Sequence, residues 1–183
     1  MTISLAVPDI LVARAWSGDL EALEALYRAF ETPVYNLARR MLRNPEDAED
    51  VVQETFLEVV RSIHGFRGEG HLGGWIRRIA ASKALMRIRR EQLRKAEELD
   101  EDAVGSVAGH GAAGGLGSPA SVGMQIDLER AFEGLSETAR AVVWLHDVEG
   151  YTHEAIAEMM GRTVSFSKSQ LARAHARLRR ALA

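Results

Sequence analysis

The 183-residue chain contains no cysteine. That absence excludes disulfide frameworks, cysteine-zinc sites and thiol nucleophiles. Proline is scarce, with 4 residues, and aromatics make up 6%. Alanine, leucine, arginine and glutamate are frequent instead, a mix that favours helix over sheet. No stretch approaches the ~20 apolar residues of a membrane span. The opening MTISLAVPDILVARAWSGD has neither the basic flank nor the apolar core of a signal peptide. The expectation is a cytoplasmic protein with no membrane insertion. Signatures of catalysis are missing too. His153-Glu154 opens like the zinc motif HExxH, but Ala157 stands where the second histidine belongs. There is no P-loop and no dinucleotide fingerprint, so no cofactor, metal or catalytic residue is expected and the chain does not read as an enzyme.

What is present is helical periodicity in two blocks. Residues 100–123 hold seven glycines and one proline and show no apolar periodicity, so they read as a flexible linker. The prediction is an all-α protein of two small helical domains, 1–99 and 124–183, joined by that Gly-rich tether. In the first, Leu20, Leu23, Leu26, Tyr27 and Phe30 share one helix face. Pro33 is expected to start a second helix carrying Val34, Leu37, Ala38, Met41 and Leu42. Asn44-Pro45 then provides an N-cap and a first-turn proline, with Asp47 where a capping-box acid would sit. The helix after it is expected to bury Val51, Val52, Thr55, Phe56, Val59, Val60 and Ile63. A glycine-rich loop, 64–74, leads to a long basic helix, 75–99, with Trp75, Ile76, Ile79, Ala80 and Met86 on one arc. In the second domain Ser136 and Thr152 are N-caps and Gly161 permits a left-handed turn.

The net charge of −3 conceals a segregated pattern. Residues 44–60 carry six acids (Glu46, Asp47, Glu49, Asp50, Glu54, Glu58) and no base, whereas 75–95 carry eight bases and one acid. From Met159 onward there are six bases and no acid. Two basic segments suit a polyanion, and the acidic helix suits a basic protein surface.

The stretch from Thr152 to Leu171 reads as helix-turn-helix. Ala157 allows close helix approach and Gly161 makes the turn. The second helix opens with Ser165, Phe166, Ser167, Lys168, Ser169 and Gln170, polar groups where a recognition helix meets base edges. Arg173, Arg177, Arg179 and Arg180 follow as phosphate contacts. In the first domain Phe66 and Trp75 lie beside the basic helix as candidate stacking platforms, although Trp75 also suits a core.

These features, in this order, resemble the extracytoplasmic-function (ECF) class of the bacterial sigma-70 family. The motifs NPEDAEDVVQETFL (44–57), FRGE (66–69) and WIRRIA (75–80), with Arg89 and Arg90, are similar to region 2. Leu135-Ser136-Glu137, GYTHEAIAE (150–158) and Lys168, Ser169, Leu171, Arg173 and Ala174 are similar to region 4. The resemblance implies an alternative sigma factor that binds core RNA polymerase and directs promoter-specific initiation. It implies polymerase docking by Asp47, Asp50, Gln53 and Glu54. It implies contact with the melted −10 element by Ser62, Phe66, Trp75, Arg77, Arg78, Ser82, Lys83, Arg87 and Arg90, with a base pocket around Ser62, Phe66 and Ser82. It implies −35 contact by Ser165, Phe166, Lys168, Ser169, Gln170, Arg173 and Arg177. Asp100, Glu101 and Asp102 would mimic nucleic-acid charge near the RNA exit path. Partners on this view are core polymerase, promoter DNA and an anti-sigma factor.

The chain departs from the family pattern at Ser82, where Asn is common, at Leu72-Gly73-Gly74, and at Phe166, Ser167 and Gln170. These departures bear on the captured base, the loop and the −35 sequence. Two other readings fit parts of the pattern: a polymerase-binding helical adaptor that reads no DNA, and a helix-turn-helix regulator that acts without core enzyme.

Overall fold

The computed structural model describes residues 7–66, 71–101 and 130–182, without the side chains of 97–101. Helices α1 (Asp9–Trp16), α2 (Leu20–Leu42), α3 (Pro45–Ser62) and α4 (Leu72–Glu101) form the N-terminal half. Helices α5 (Glu137–Val143), α6 (His153–Met160) and α7 (Val164–Ala181) form the C-terminal half, with a π-helical turn at Trp144–Val148. No strand occurs among the described residues. The expected linker, 100–123, falls almost wholly outside them.

Helices α2, α3 and α4 pack on one another around one apolar core. It is filled by Leu26, Phe30, Val34, Leu37 and Met41 of α2, Val51, Phe56 and Val59 of α3, and Ile76, Ala80, Leu85 and Ile88 of α4. Predicted caps form where the sequence places them. Asn44 accepts from the Glu46 N–H at 2.9 Å, Ser136 from Ala139 at 3.3 Å and Thr152 from Ala155 at 3.2 Å. Each satisfies a donor that a helix start leaves unpaired.

Several expectations are corrected. Pro33 does not start a helix. It lies inside the 23-residue α2. An interior proline costs about 3 kcal/mol, but Phe30, Val34, Leu37 and Met41 hold one buried register through it, and that burial outweighs the lost hydrogen bond. Leu20, at the first turn of α2, is exposed, as are Val60 and Met86. Asp47 bonds Arg87 rather than closing a capping box. Helix α4 begins at Leu72, three residues before the expected start, so Gly73 and Gly74 are helical. A Cβ built on Gly73 would lie 2.8 Å from Phe30 Cε1. The missing side chain lets α4 close onto α2.

The two halves are not held apart. Helix α5 packs on α2 and α4, and α6 packs on α4. Buried Arg140 of α5 donates from Nε to the Met41 carbonyl at 3.1 Å, satisfying an acceptor in the last turn of α2. Gln92 of α4 donates to Thr138 of α5 at 2.6 Å. The Arg40 guanidinium lies 5.6 Å from the Trp144 ring centroid. These contacts join residues far apart in sequence, which periodicity cannot show.

Candidate polymerase and nucleic-acid interfaces

Three acids of α3 form one row and a mixed set of residues forms a second. Asp47, Asp50 and Glu54 recur at i, i+3 and i+7 and therefore share one side of the helix. All three face Arg87 of α4: Nε reaches Asp47 at 2.8 Å, Nη2 reaches Asp50 at 2.5 Å and Nη1 reaches Glu54 at 3.5 Å. Burial works to lower the Arg87 pKa, but Asp47 and Asp50 outweigh it and raise the value. The second row, Glu49, Gln53, Leu57 and Val60, faces outward. Gln53 borders a surface groove of about 380 Å³ lined also by Tyr27, Glu31, Thr32, Tyr35 and Glu49. Helix α3 therefore presents a negative, braced surface with two exposed apolar residues.

Helix α4 does not leave its cations in one open stripe. Arg87 belongs to the acidic cluster, and Lys83 pairs with Glu58 at 3.4 Å. Arg77 lies 3.3 Å from Glu149 and Arg78 lies 2.8 Å from Glu158. Arg90 is exposed, beside a second groove lined also by Glu54, Arg87 and Arg94. Phe66 is only 8% exposed and its ring packs on Trp75 with centroids 5.5 Å apart. It is a wall of the core in this arrangement rather than an open platform. Ser62 Oγ donates to the Glu58 carbonyl at 2.6 Å, and Ser82 is half-buried. Of the residues expected at the −10 element, Arg78 and Arg90 are the exposed ones.

The helix-turn-helix is formed. Gly161 ends α6 in the left-handed region at φ 60°, which glycine tolerates without strain. Thr163, overlooked at the sequence level, caps α7 by accepting from the Phe166 N–H at 3.1 Å. Leu171, Ala174 and Leu178 face inward and are buried. Ser165, Lys168, Ser169, Arg173 and Arg177 are exposed along the opposite edge. Ser169 donates to the Phe166 carbonyl at 2.9 Å, and Arg173 Nε donates to the Ser169 carbonyl at 3.2 Å. Arg162 stacks over Phe166 at 5.6 Å, and Gln170 is half-buried.

Ser167 points the other way. It is fully buried, with its Oγ 2.9 Å from His153 Nδ1. This bond ties the first helix of the motif to the second. The His153 ring stacks on His146 at 4.4 Å. Its pKa is lowered, by burial first and then by His146 and Lys168. His146 and His175 both bond Asp147, at 2.8 and 2.6 Å. Against the cost of burial, those two bonds hold the Asp147 carboxyl below its ordinary range. No cluster of metal-ligating side chains occurs among the described residues, and no described helix is long and apolar enough to cross a membrane.

Comparison with known proteins places the chain in a family. Residues 26–94 match Sigma-70 region 2 and residues 125–181 match Sigma-70, region 4. The chain is 33% identical over 172 residues to the ECF RNA polymerase sigma factor SigM of Mycobacterium tuberculosis, spanning 94% of this chain and 83% of that protein. It is 32% identical over 170 residues to the ECF RNA polymerase sigma-E factor of Haemophilus influenzae, spanning 90% and 89%. Among solved structures, the sigma factor RpoE of Bartonella quintana, in complex with the anti-sigma factor NepR, shares the fold with a TM-score of 0.57 at 23% identity, spanning 87% of this chain and 95% of that one. CnrH, in complex with the cytosolic domain of CnrY, does so with a TM-score of 0.54 at 21% identity, spanning 94% and 95%. With region 2 and region 4 in the expected order and close relatives spanning nearly its whole length, the chain belongs to the ECF sigma factors of the sigma-70 family and is an alternative RNA polymerase sigma factor.

Proposed function

We propose that this sigma factor docks on core RNA polymerase through the α3 face carrying Asp47, Asp50, Gln53 and Glu54, holds the melted −10 element along α4, and reads the −35 element with α7. Residues 1–99 act as the docking and −10 module, 100–123 as the linker and 124–183 as the −35 module. The reading rests above all on one observation. Helix α7 leaves Ser165, Lys168, Ser169, Arg173 and Arg177 in one exposed row beginning at its first turn, where a helix-turn-helix meets the major groove. The braced acids of α3 complement a basic protein surface and repel DNA. The chain has no catalytic activity of its own and works in the cytoplasm, lending sequence selectivity to the polymerase. Its relatives RpoE and CnrH were solved with partner proteins, RpoE's an anti-sigma factor, and this chain takes an anti-sigma partner as well.

Run-off transcription with purified core polymerase tests the proposal. Transcripts from a defined start, dependent on added protein, are expected. A helical adaptor would bind core enzyme and yield none, and a regulator independent of polymerase would protect DNA without it. Either result overturns the reading.

A further inference from the structure

Ser167 opens the buried stripe of α7 that Leu171, Ala174 and Leu178 continue, and it is the polar member of that stripe. Apolar packing is non-directional and tolerates a small rotation of a helix. A hydrogen bond fixes distance and angle together. The 2.9 Å bond between Ser167 Oγ and His153 Nδ1 therefore sets the first turn of α7 against α6. Burial makes the bond obligatory, since a hydroxyl removed from water is costly when unpaired. Lys168 and Ser169 follow Ser167 directly and Ser165 stands two residues before it, so the exposed row turns with it.

His153 is itself held from both sides. It is the first residue of α6, behind the Thr152 cap. Against it lies the His146 ring, 4.4 Å away and inclined by 23°. His146 Nδ1 meets Asp147 Oδ1 at 2.8 Å, and Asp147 Oδ2 meets His175 Nε2 at 2.6 Å. This chain of contacts leaves α7 at Ser167 and returns to it at His175, roughly two turns further on.

Proton uptake disturbs the arrangement at His153. An imidazolium on His146 or His175 has Asp147 as its counter-ion. A charge on His153 is opposed by His146 and by Lys168 of α7, with Glu154 of α6 and the already shared Asp147 in its favour. Charges on the other packed helices are engaged elsewhere: Arg77 of α4 with Glu149, Arg78 with Glu158, and Arg140 of α5 with the Met41 carbonyl. Arg89 of α4 lies at the Gly161 end of α6. Burial, His146 and Lys168 accordingly hold the His153 pKa below its ordinary value. A neutral ring can give or accept the Ser167 bond, whereas an imidazolium can only donate and is repelled by a charged neighbour in the stack.

We infer that His153 is a positioning residue for −35 recognition: acting through Ser167, its neutral ring fixes the rotation of the first turn of α7 and so the placement of Lys168 and Ser169 on base edges. The inference rests on the reading of α7 given above.

Two measurements on the full-length chain test it. The amide resonances of Lys168 and Ser169 should shift with the His153 ring as pH falls from about 7.5 to 5.5. They should stay in place in His153→Asn, which carries an amide where the ring carries Nδ1 and cannot titrate. Amides that stay fixed in the parent, or move equally in the variant, overturn the coupling. For recognition, reconstituted holoenzyme first selects a preferred duplex from a promoter library randomised at −35. Its preference for that duplex over one with a scrambled −35 block is a ratio, in which the sequence-independent effect of added charge cancels. The ratio should fall roughly tenfold over the same pH range. It should persist in His153→Asn and be low at both ends of the range in Ser167→Ala. A ratio that survives acid in the parent, falls equally in the asparagine variant, or is unchanged in Ser167→Ala overturns the role of His153. A holoenzyme with no −35 preference even at the upper pH overturns the reading of α7 itself, whatever the amides show.

Discussion

Removing the Arg87 guanidinium would leave Asp47, Asp50 and Glu54 crowded on one helix face without their shared counter-ion. The pairs are half-exposed, so solvent already screens part of the attraction. Arg87→Ala should therefore lower stability by about 1–2 kcal/mol, read as a smaller urea midpoint at unchanged slope. Arg87→Lys should recover only part of this, because an ammonium cannot bridge three carboxylates in a planar fork. An unchanged midpoint for the alanine variant would show that the brace is ornamental. His153 supports a second residue-level prediction. Its pKa is lowered in the folded state, against an ordinary value of ~6.5. The folded module thus binds fewer protons than the unfolded chain, and stability present above ~6.5 is lost as pH falls from there toward the folded value. Asp147 and Glu154 are also lowered, but they are carboxyls and titrate below that window. The thermal midpoint should fall between about pH 7.5 and 5.5, and His153→Gln should flatten that fall. An identical slope in the variant would remove His153 as the cause.

At the scale of elements, the start of α4 offers a paired test. Gly73 and Gly74 are neighbours in one helical turn, and replacing either by alanine gains up to ~1 kcal/mol of helix propensity. Only Gly73 is confined: its Cβ would meet the Phe30 ring at 2.8 Å, whereas nothing lies within 4 Å of Gly74. Gly73→Ala should therefore destabilise by about 1–2 kcal/mol net, and Gly74→Ala should stabilise by about 0.5–1 kcal/mol. Equal effects would mean that α4 does not close on α2 this tightly. On α7, Arg173 already spends its Nε on the Ser169 carbonyl, which leaves its Nη groups for one phosphate. Arg173→Ala should weaken binding to all −35 sequences alike and reduce the salt slope by about 1. A loss confined to one sequence would make it a base reader instead. The same elements show what could be read in advance. Asn44, Ser136, Thr152 and Gly161 act on backbone groups within four residues of themselves, so spacing alone reveals them. Continuity of α2 through Pro33 and the early start of α4 depend on Phe30, which lies in the core against α4. Local rules for proline and glycine point the wrong way there, because tertiary packing decides.

For the whole molecule, composition reveals two modules and a tether but not how the modules meet. Arg77 and Glu149 are a basic and an acidic residue in segments whose periodicities are unrelated, and nothing in either segment announces the other. Likewise, charge runs identify α3 as acidic and α4 as basic without showing that Arg87 neutralises part of α3. This matters for testing assembly with polymerase. Reversing Asp50 and Glu54 to lysine would set two ammonium groups beside Arg87, and failure to bind could then follow from a damaged fold. Asp50→Asn with Glu54→Gln keeps shape and leaves Arg87 bonded to Asp47 at 2.8 Å. That pair should weaken binding to core polymerase by about 2–4 kcal/mol, while the thermal midpoint stays within a few degrees of the parent. Undiminished polymerase affinity would move the docking surface elsewhere, with the outward row of Gln53, Leu57 and Val60 next in line, since Leu57 and Val60 are exposed apolar side chains that no other described residue covers.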